Sequence, residues 1–145
     1  HVSLWSLLSA PLLIGCDMNA MDDFTLNLLT NDEVLAVNQD PLVKPAGKIL
    51  TENGQIWYKE LEDGAVAVGL FNIDPYFILW DKSKEEAIQQ QLYTLKLDLK
   101  QIGLTGEYKV RDLWRQTDIG HAKGSLSAKV PYHGVQLLKL TPVNK

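Results

Sequence analysis

Leu12-Leu13-Ile14 constrains this chain more than any other three residues. The run is too short for a helix and too apolar for a strand with one face in water, so it reads as a fully buried strand. Before it, Val2, Leu4, Trp5, Leu7 and Leu8 cover most of a helical circumference between Val2 and Ala10, and Pro11 stops that helix. After it come a Gly15-Cys16-Asp17 corner and a second helical run. Helix, buried strand, corner at the strand's carboxyl end, helix is the order of an α/β repeat. One parallel strand cannot make a sheet, and the rest of the sequence offers it no parallel neighbour. The expectation is that the chain is the tail of something larger, its beginning lost ahead of His1.

Downstream, Asn19 to Leu29 reads as a helix with Asp22 and Asp23 in its first turn, opposing the positive end of the helix dipole. Phe24, Leu28 and Leu29 lie near one face. Thr30 or Asn31 can cap a further short helix, with Asp32 and Glu33 in its first turn and Val34, Leu35 and Val37 turned inward. Residues 43–48, with Pro45 and Gly47, read as a linker.

From Ile49 on, the hydrophobic period changes to two. Gln55 to Leu61 and Ala65 to Phe71 are strands joined at Asp63-Gly64, a strong hairpin-turn signal. Tyr93, Leu95, Leu97 and Leu99 alternate with polar residues. Tyr108 to Trp114, Ser125 to Val130 and Gly134 to Leu140 complete the set. Short strands punctuated by Gly and Asp turns predict a mainly β fold, an antiparallel β-sandwich or small barrel. Asn72 to Gln91 reads as a long hairpin loop holding Tyr76, Phe77 and Trp80 and then a polar run.

Bulk properties exclude several classes. A hydrophobic fraction of 46% with 22% charged residues is that of a globular protein. A net charge of -4 without a basic cluster argues against nucleic acid. No apolar run is long enough for a membrane span. The lone cysteine, Cys16, excludes an internal disulfide.

Several short motifs occur in a telling order. They are Ser3-Leu4-Trp5, Ala10-Pro11-Leu12, Gly15-Cys16-Asp17, Leu29-Thr30-Asn31 with Glu33-Val34, and Val37-Asn38-Gln39-Asp40-Pro41-Leu42. Val110-Arg111-Asp112-Leu113-Trp114 and His133-Gly134-Val135-Gln136-Leu137-Leu138-Lys139-Leu140 continue the series more loosely. The chain thus resembles the C-terminal part of melibiase-type α-galactosidases, the retaining glycoside hydrolases that include α-N-acetylgalactosaminidases. The resemblance implies that residues 1–42 are the C-terminal end of a (β/α)8 catalytic barrel, 43–48 a linker and 49–145 the family's β domain. It further implies double displacement on a terminal α-linked galactose or N-acetylgalactosamine, with no cofactor or metal. Its implied partners are the N-terminal barrel portion and an α-galactoside oligosaccharide or glycoconjugate, with no nucleic acid and no membrane; a homo-oligomer is left open. An extracellular, periplasmic or lysosome-like compartment goes with the family.

Retaining chemistry needs two carboxyl groups about 5–5.5 Å apart, one as nucleophile and one as acid/base. In the family these stand on barrel strands that would precede His1. The Tyr-Leu-Lys-Tyr-Asp and Trp-Asn-Asp-Pro-Asp runs do not occur here. No catalytic residue is therefore carried over, and the chain alone is expected to be inactive.

Two weaker substrate-binding candidates remain. Asp17, at the carboxyl end of the expected strand, either caps the next turn or lines the barrel rim. Trp80 belongs to an aromatic set (with Trp57, Tyr58, Tyr76, Phe77 and Trp114) that would allow a sugar-binding β module as an alternative function, although Trp57 and Trp114 suit core or interdomain contacts better. Cys16 reads as a buried, inert small hydrophobe. Asp112 reads either as a buried hydrogen-bonding residue beside Trp114 or simply as a charge at a ladder edge. His121 and His133 lack spaced partners for a metal.

Overall fold

The computed structural model describes residues 1–52, 54–73 and 92–143. From Gly47 these residues form antiparallel strands: β1 (Gly47–Thr51), β2 (Gly54–Glu60), β3 (Val66–Asn72), β4 (Leu92–Asp98), β5 (Glu107–Asp112), β6 (Thr117–Lys123), β7 (Ser125–Pro131) and β8 (Val135–Pro142). Their order is β1-β2-β3-β8-β5-β6-β7-β4. The β2–β3 turn forms as the Asp-Gly pair demands. The Asp63 carboxylate accepts from the Ala65 amide at 2.9 Å, and Gly64 takes a φ of 81°, a region that costs glycine nothing.

The sheet turns over at Gly124. Lys123↔Ser125 is the pairing between β6 and β7, and Gly124 between them has a φ of 73°. β7 and β4 then lie against β3, closing a two-layer sandwich. Ile56, Val68, Leu70, Leu97, Leu138 and Leu140 are fully buried between the layers. Each such side chain contributes roughly 1.5–3 kcal/mol by leaving water.

The outer face of the same sheet carries α1 (Val2–Leu7) and α3 (Asp32–Asn38), while α2 (Asp23–Leu29), between them in the sequence, buries none of its residues. Leu7, Val34 and Val37 pack on Ala65, Ala67 and Leu137. β3 is therefore buried on both faces, with Val66, Val68 and Leu70 facing the sandwich and small residues facing the helices. Gly69 continues that small series: a Cβ there would lie 2.7 Å from Leu7 Cδ1.

The helix starts follow the capping residues. Asn31 caps α3 by accepting from the Val34 amide at 3.1 Å. Asp22 caps α2 by accepting from the Thr25 amide at 2.8 Å. The single helix expected over Asn19 to Leu29 is thus interrupted by this cap. A separate 3-10 turn, Met18–Ala20, precedes it.

Three expectations need correction. Leu12-Leu13-Ile14 is not a buried strand: Leu13 is 86% and Ile14 56% exposed. Among the described residues no parallel strand lies beside it to take its backbone hydrogen bonds, so the run forms no regular structure and stays open. Cys16, expected buried, is exposed for the same reason. Two strands were also missed. β1 starts at Gly47, within the stretch expected as linker, and β6 exposes nearly every side chain, leaving no apolar alternation to read.

Candidate functional site

Asp17 acts as a cap. Its carboxylate accepts from the Asn19 amide at 2.9 Å at the start of the 3-10 turn, and the residue is exposed. No second carboxylate is drawn to it by any hydrogen bond or ion pair among the described residues. Trp80, with Tyr76 and Phe77, lies outside the described residues. Asp112 is buried, the first of its two readings, and receives both the Arg115 amide (3.1 Å) and the Arg115 guanidinium (2.8 Å). His133 makes the turn before β8, with a φ of 51° and the Gly134 amide donating to the Pro131 carbonyl at 2.8 Å.

The carboxyl groups with clearly displaced acidity point away from proton donation. Asp22 is held below its ordinary value by its hydrogen bonds to Thr25. Asp118 is held below its own by Lys109 and then Arg111. A glycosidase acid needs the opposite displacement, from burial or a negative neighbour.

Polar groups instead gather between the helices and the outer sheet face. The Trp114 indole N–H donates to Ser3 Oγ of α1 at 2.9 Å. The Asn31 side-chain amide donates to the Leu113 carbonyl at 3.0 Å, so the residue that caps α3 also ties it to the end of β5. Arg111 grips Glu33 through Nε (2.7 Å) and Nη2 (2.6 Å), and its Nη1 reaches Asp118 at 3.2 Å. These hydrogen bonds hold the Arg111 pKa above its ordinary value. Lys59, on β2, is buried, and its ammonium donates to Ser9 Oγ at 2.7 Å and to the Val37 carbonyl. Burial pulls the Lys59 pKa below its usual value, with Asp40 opposing the shift. Asn38 completes the joint by donating to the Ala10 carbonyl at 2.8 Å, beyond the end of α1.

A groove of about 960 Å³ opens at the other end of this interface. Phe24 and Trp114 give it apolar surface, while Asn27, Asp32 and Gln116 give it polar groups. Asp32 and Gln116 already bond each other across it. The arrangement is that of a contact surface between two structural layers.

Comparison with known proteins decides what those layers belong to. Residues 51–140 match the family described as alpha galactosidase C-terminal beta sandwich domain.

The chain belongs to the α-galactosidase family.

Relatives match beyond the β domain. A probable α-galactosidase of Dictyostelium discoideum is 40% identical over 99% of this chain and 35% of its own length. Among solved structures, α-galactosidase I from Mortierella vinacea superposes with a TM-score of 0.81 at 26% identity, covering 98% of this chain and 34% of that one. A GH27 β-L-arabinopyranosidase from Geobacillus stearothermophilus gives a TM-score of 0.80 at 31% identity, covering 99% of this chain and 30% of that one. The chain thus spans about a third of the length of the α-galactosidases it matches. It corresponds to their C-terminal β domain together with the helices before it. Sequence reasoning missed Lys59 and Arg111 as joints, although a lysine among apolar strand positions and an arginine between Val110 and Leu113 were visible signals.

Proposed function

We propose that this chain is the C-terminal portion of a retaining glycoside hydrolase that removes a terminal α-linked galactose or N-acetylgalactosamine by double displacement. In this reading residues 1–42 are the closing end of a (β/α)8 barrel, and 49–145 form a structural β domain that holds it. The observation that carries the reading is the contrast within residues 1–42. Leu7, Val34 and Val37 are seated on the sandwich, while Leu13, Ile14, Met18 and Phe24 face water. Side chains of that kind at a strand position and on the next helix suit burial against further barrel strands and helices. The names of the relatives support the glycosidase class, and the arabinopyranosidase among them leaves the sugar to residues upstream.

Two measurements test it. Purified 1–145 should not hydrolyse an aryl α-galactoside above background, because the paired carboxylates are absent from it. Turnover that follows the protein through purification would overturn this. The reading frame upstream of His1 should encode a Trp-Asn-Asp-Pro-Asp run and, further up, Tyr-Leu-Lys-Tyr-Asp. An unrelated domain there would remove the barrel reading.

A further inference from the structure

Four residues on adjacent strands lie in one transverse row across the outer face of the sheet. Lys59 on β2 pairs with Ala67 on β3, Ala67 with Lys139 on β8, and Lys139 with Arg111 on β5. Directly opposed residues project to the same side. Three of the four are basic, and they share this face with the apolar floor of Ala65, Ala67 and Leu137 beneath the helices.

α3 meets the two ends of the row. Glu33, in its first turn, takes Arg111 in a two-point grip. Val37, in its last turn, offers a backbone carbonyl to Lys59. Glu33 and Val37 are four residues apart, so both lie on one helix face. Between them the helix rises about 6 Å, whereas three strand spacings separate β2 from β5 by roughly 14 Å. The long Lys59 and Arg111 side chains close the difference by leaning inward from either side. Lys139, in the middle, is turned to Asp63. The pattern also fits helix polarity, with an acid at the N-terminal turn and a cation at the C-terminal carbonyls.

The floor sets register through few side chains. Ala65, Ala67 and Gly69 are small, and Phe71 is the one large residue on this face of β3, at its far end, so the small stretch offers a helix little relief. We propose that Lys59 and Arg111 are positioning residues that fix where α3 sits on the sandwich. Through Ser9, which Lys59 also holds, they fix the end of α1.

Amide hydrogen exchange on the 1–145 chain tests this, because local opening is read residue by residue. The probes are the Leu35 and Gln39 amides of α3, the Ala10 amide after α1, and Val68 and Leu70 in β3. Arg111→Gln and Glu33→Gln should each speed Leu35 exchange roughly fivefold, and the two together should add less than about twofold to either alone. Lys59→Met should speed Gln39 and Ala10 by a similar factor, about fivefold, with Val68 and Leu70 unchanged. Additive effects of Arg111→Gln and Glu33→Gln, or α3 amides left within about twofold of the parent, would overturn the proposal. So would faster exchange of Val68 and Leu70 alongside the helices, which would make these side chains part of the general core. Should Lys59→Met fail to fold, the Arg111–Glu33 cycle decides alone.

Discussion

Leu7 of α1 sits in the space left by the missing side chain of Gly69 on β3. A Cβ at Gly69 would lie 2.7 Å from Leu7 Cδ1 and 2.6 Å from Phe71 Cε2, both too close. Leu7 is fully buried and has little room to retreat. Gly69→Ala should therefore destabilise the chain by about 1–3 kcal/mol through overpacking. Leu7→Ala should cost about 2–5 kcal/mol through the cavity it leaves. Combined, they should cost less than their sum, because the truncated Leu7 makes room for the new methyl. Urea denaturation midpoints of the three variants check this, and strict additivity would show that the two residues do not share one space.

Asp118 gives the chain an acid-sensitive contact. Its carboxylate is 2.7 Å from Lys109 and 3.2 Å from Arg111. These partners hold its pKa below the ordinary 3.8 in the folded state. The unfolded chain then binds the proton more tightly. The stabilisation is complete above about pH 4 and is lost as pH falls through the depressed value. Asp118→Asn should lower the neutral plateau by the amount the parent loses on acidification, and so flatten the acid limb of a stability-against-pH curve. An identical acid limb in parent and variant would count against the ion-pair cluster.

Lys59 carries a slope of the same sign at the alkaline end. Burial lowers its pKa from 10.5 in the folded state, despite Asp40 nearby. Between the lowered value and 10.5 the unfolded chain holds more protons, so stability should rise with pH across that window. Lys59→Met should abolish the rise. The cost of burying the charge is consistent with a positioning role, since a buried ionic group can fix one geometry without adding net stability. Parallel stability curves for parent and variant up to pH 10.5 would refute the buried-ammonium account.

The open stretch at Leu13 and Ile14 should make the isolated chain self-associate. With Met18 67% and Phe24 74% exposed nearby, the apolar surface is larger than scattered single residues would give. Leu13→Lys with Ile14→Lys should lower the concentration-dependent mass seen by light scattering and leave the melting of the sandwich unchanged. A parent chain that stays monomeric at all concentrations would contradict this.

What was legible in the sequence follows from how each element is buried. β4 could be read because Leu95 and Leu97 alternate with exposed Thr94 and Lys96. β3 could be read from the Asp63-Gly64 turn before it and the alternation of Val66, Val68 and Leu70, although it has no exposed face. β6 could not, because Ala122 is its one buried residue and its pairing rests on backbone bonds to β5. Leu12 to Ile14 misled because an apolar run declares that it suits burial without declaring what covers it. Asp17 offered two readings in the sequence, a cap or the barrel rim, and its carboxylate accepts from an amide two residues on, as Asx side chains do. The joints at Lys59 and Arg111 stayed hidden because their partners stand 22 and 78 residues away along the chain.

β3 has a consequence for biosynthesis. Its partners are β2, made just before it, and β8, which runs to Pro142. The platform that seats α1 and α3 thus lacks a strand until β4 to β7 have also been made. Leu7 and Val37 are made before Leu137 and must wait for it, solvated or held by a chaperone. A nonsense codon that removes β8 would therefore unseat α1 and α3, which are made before any strand of the sandwich.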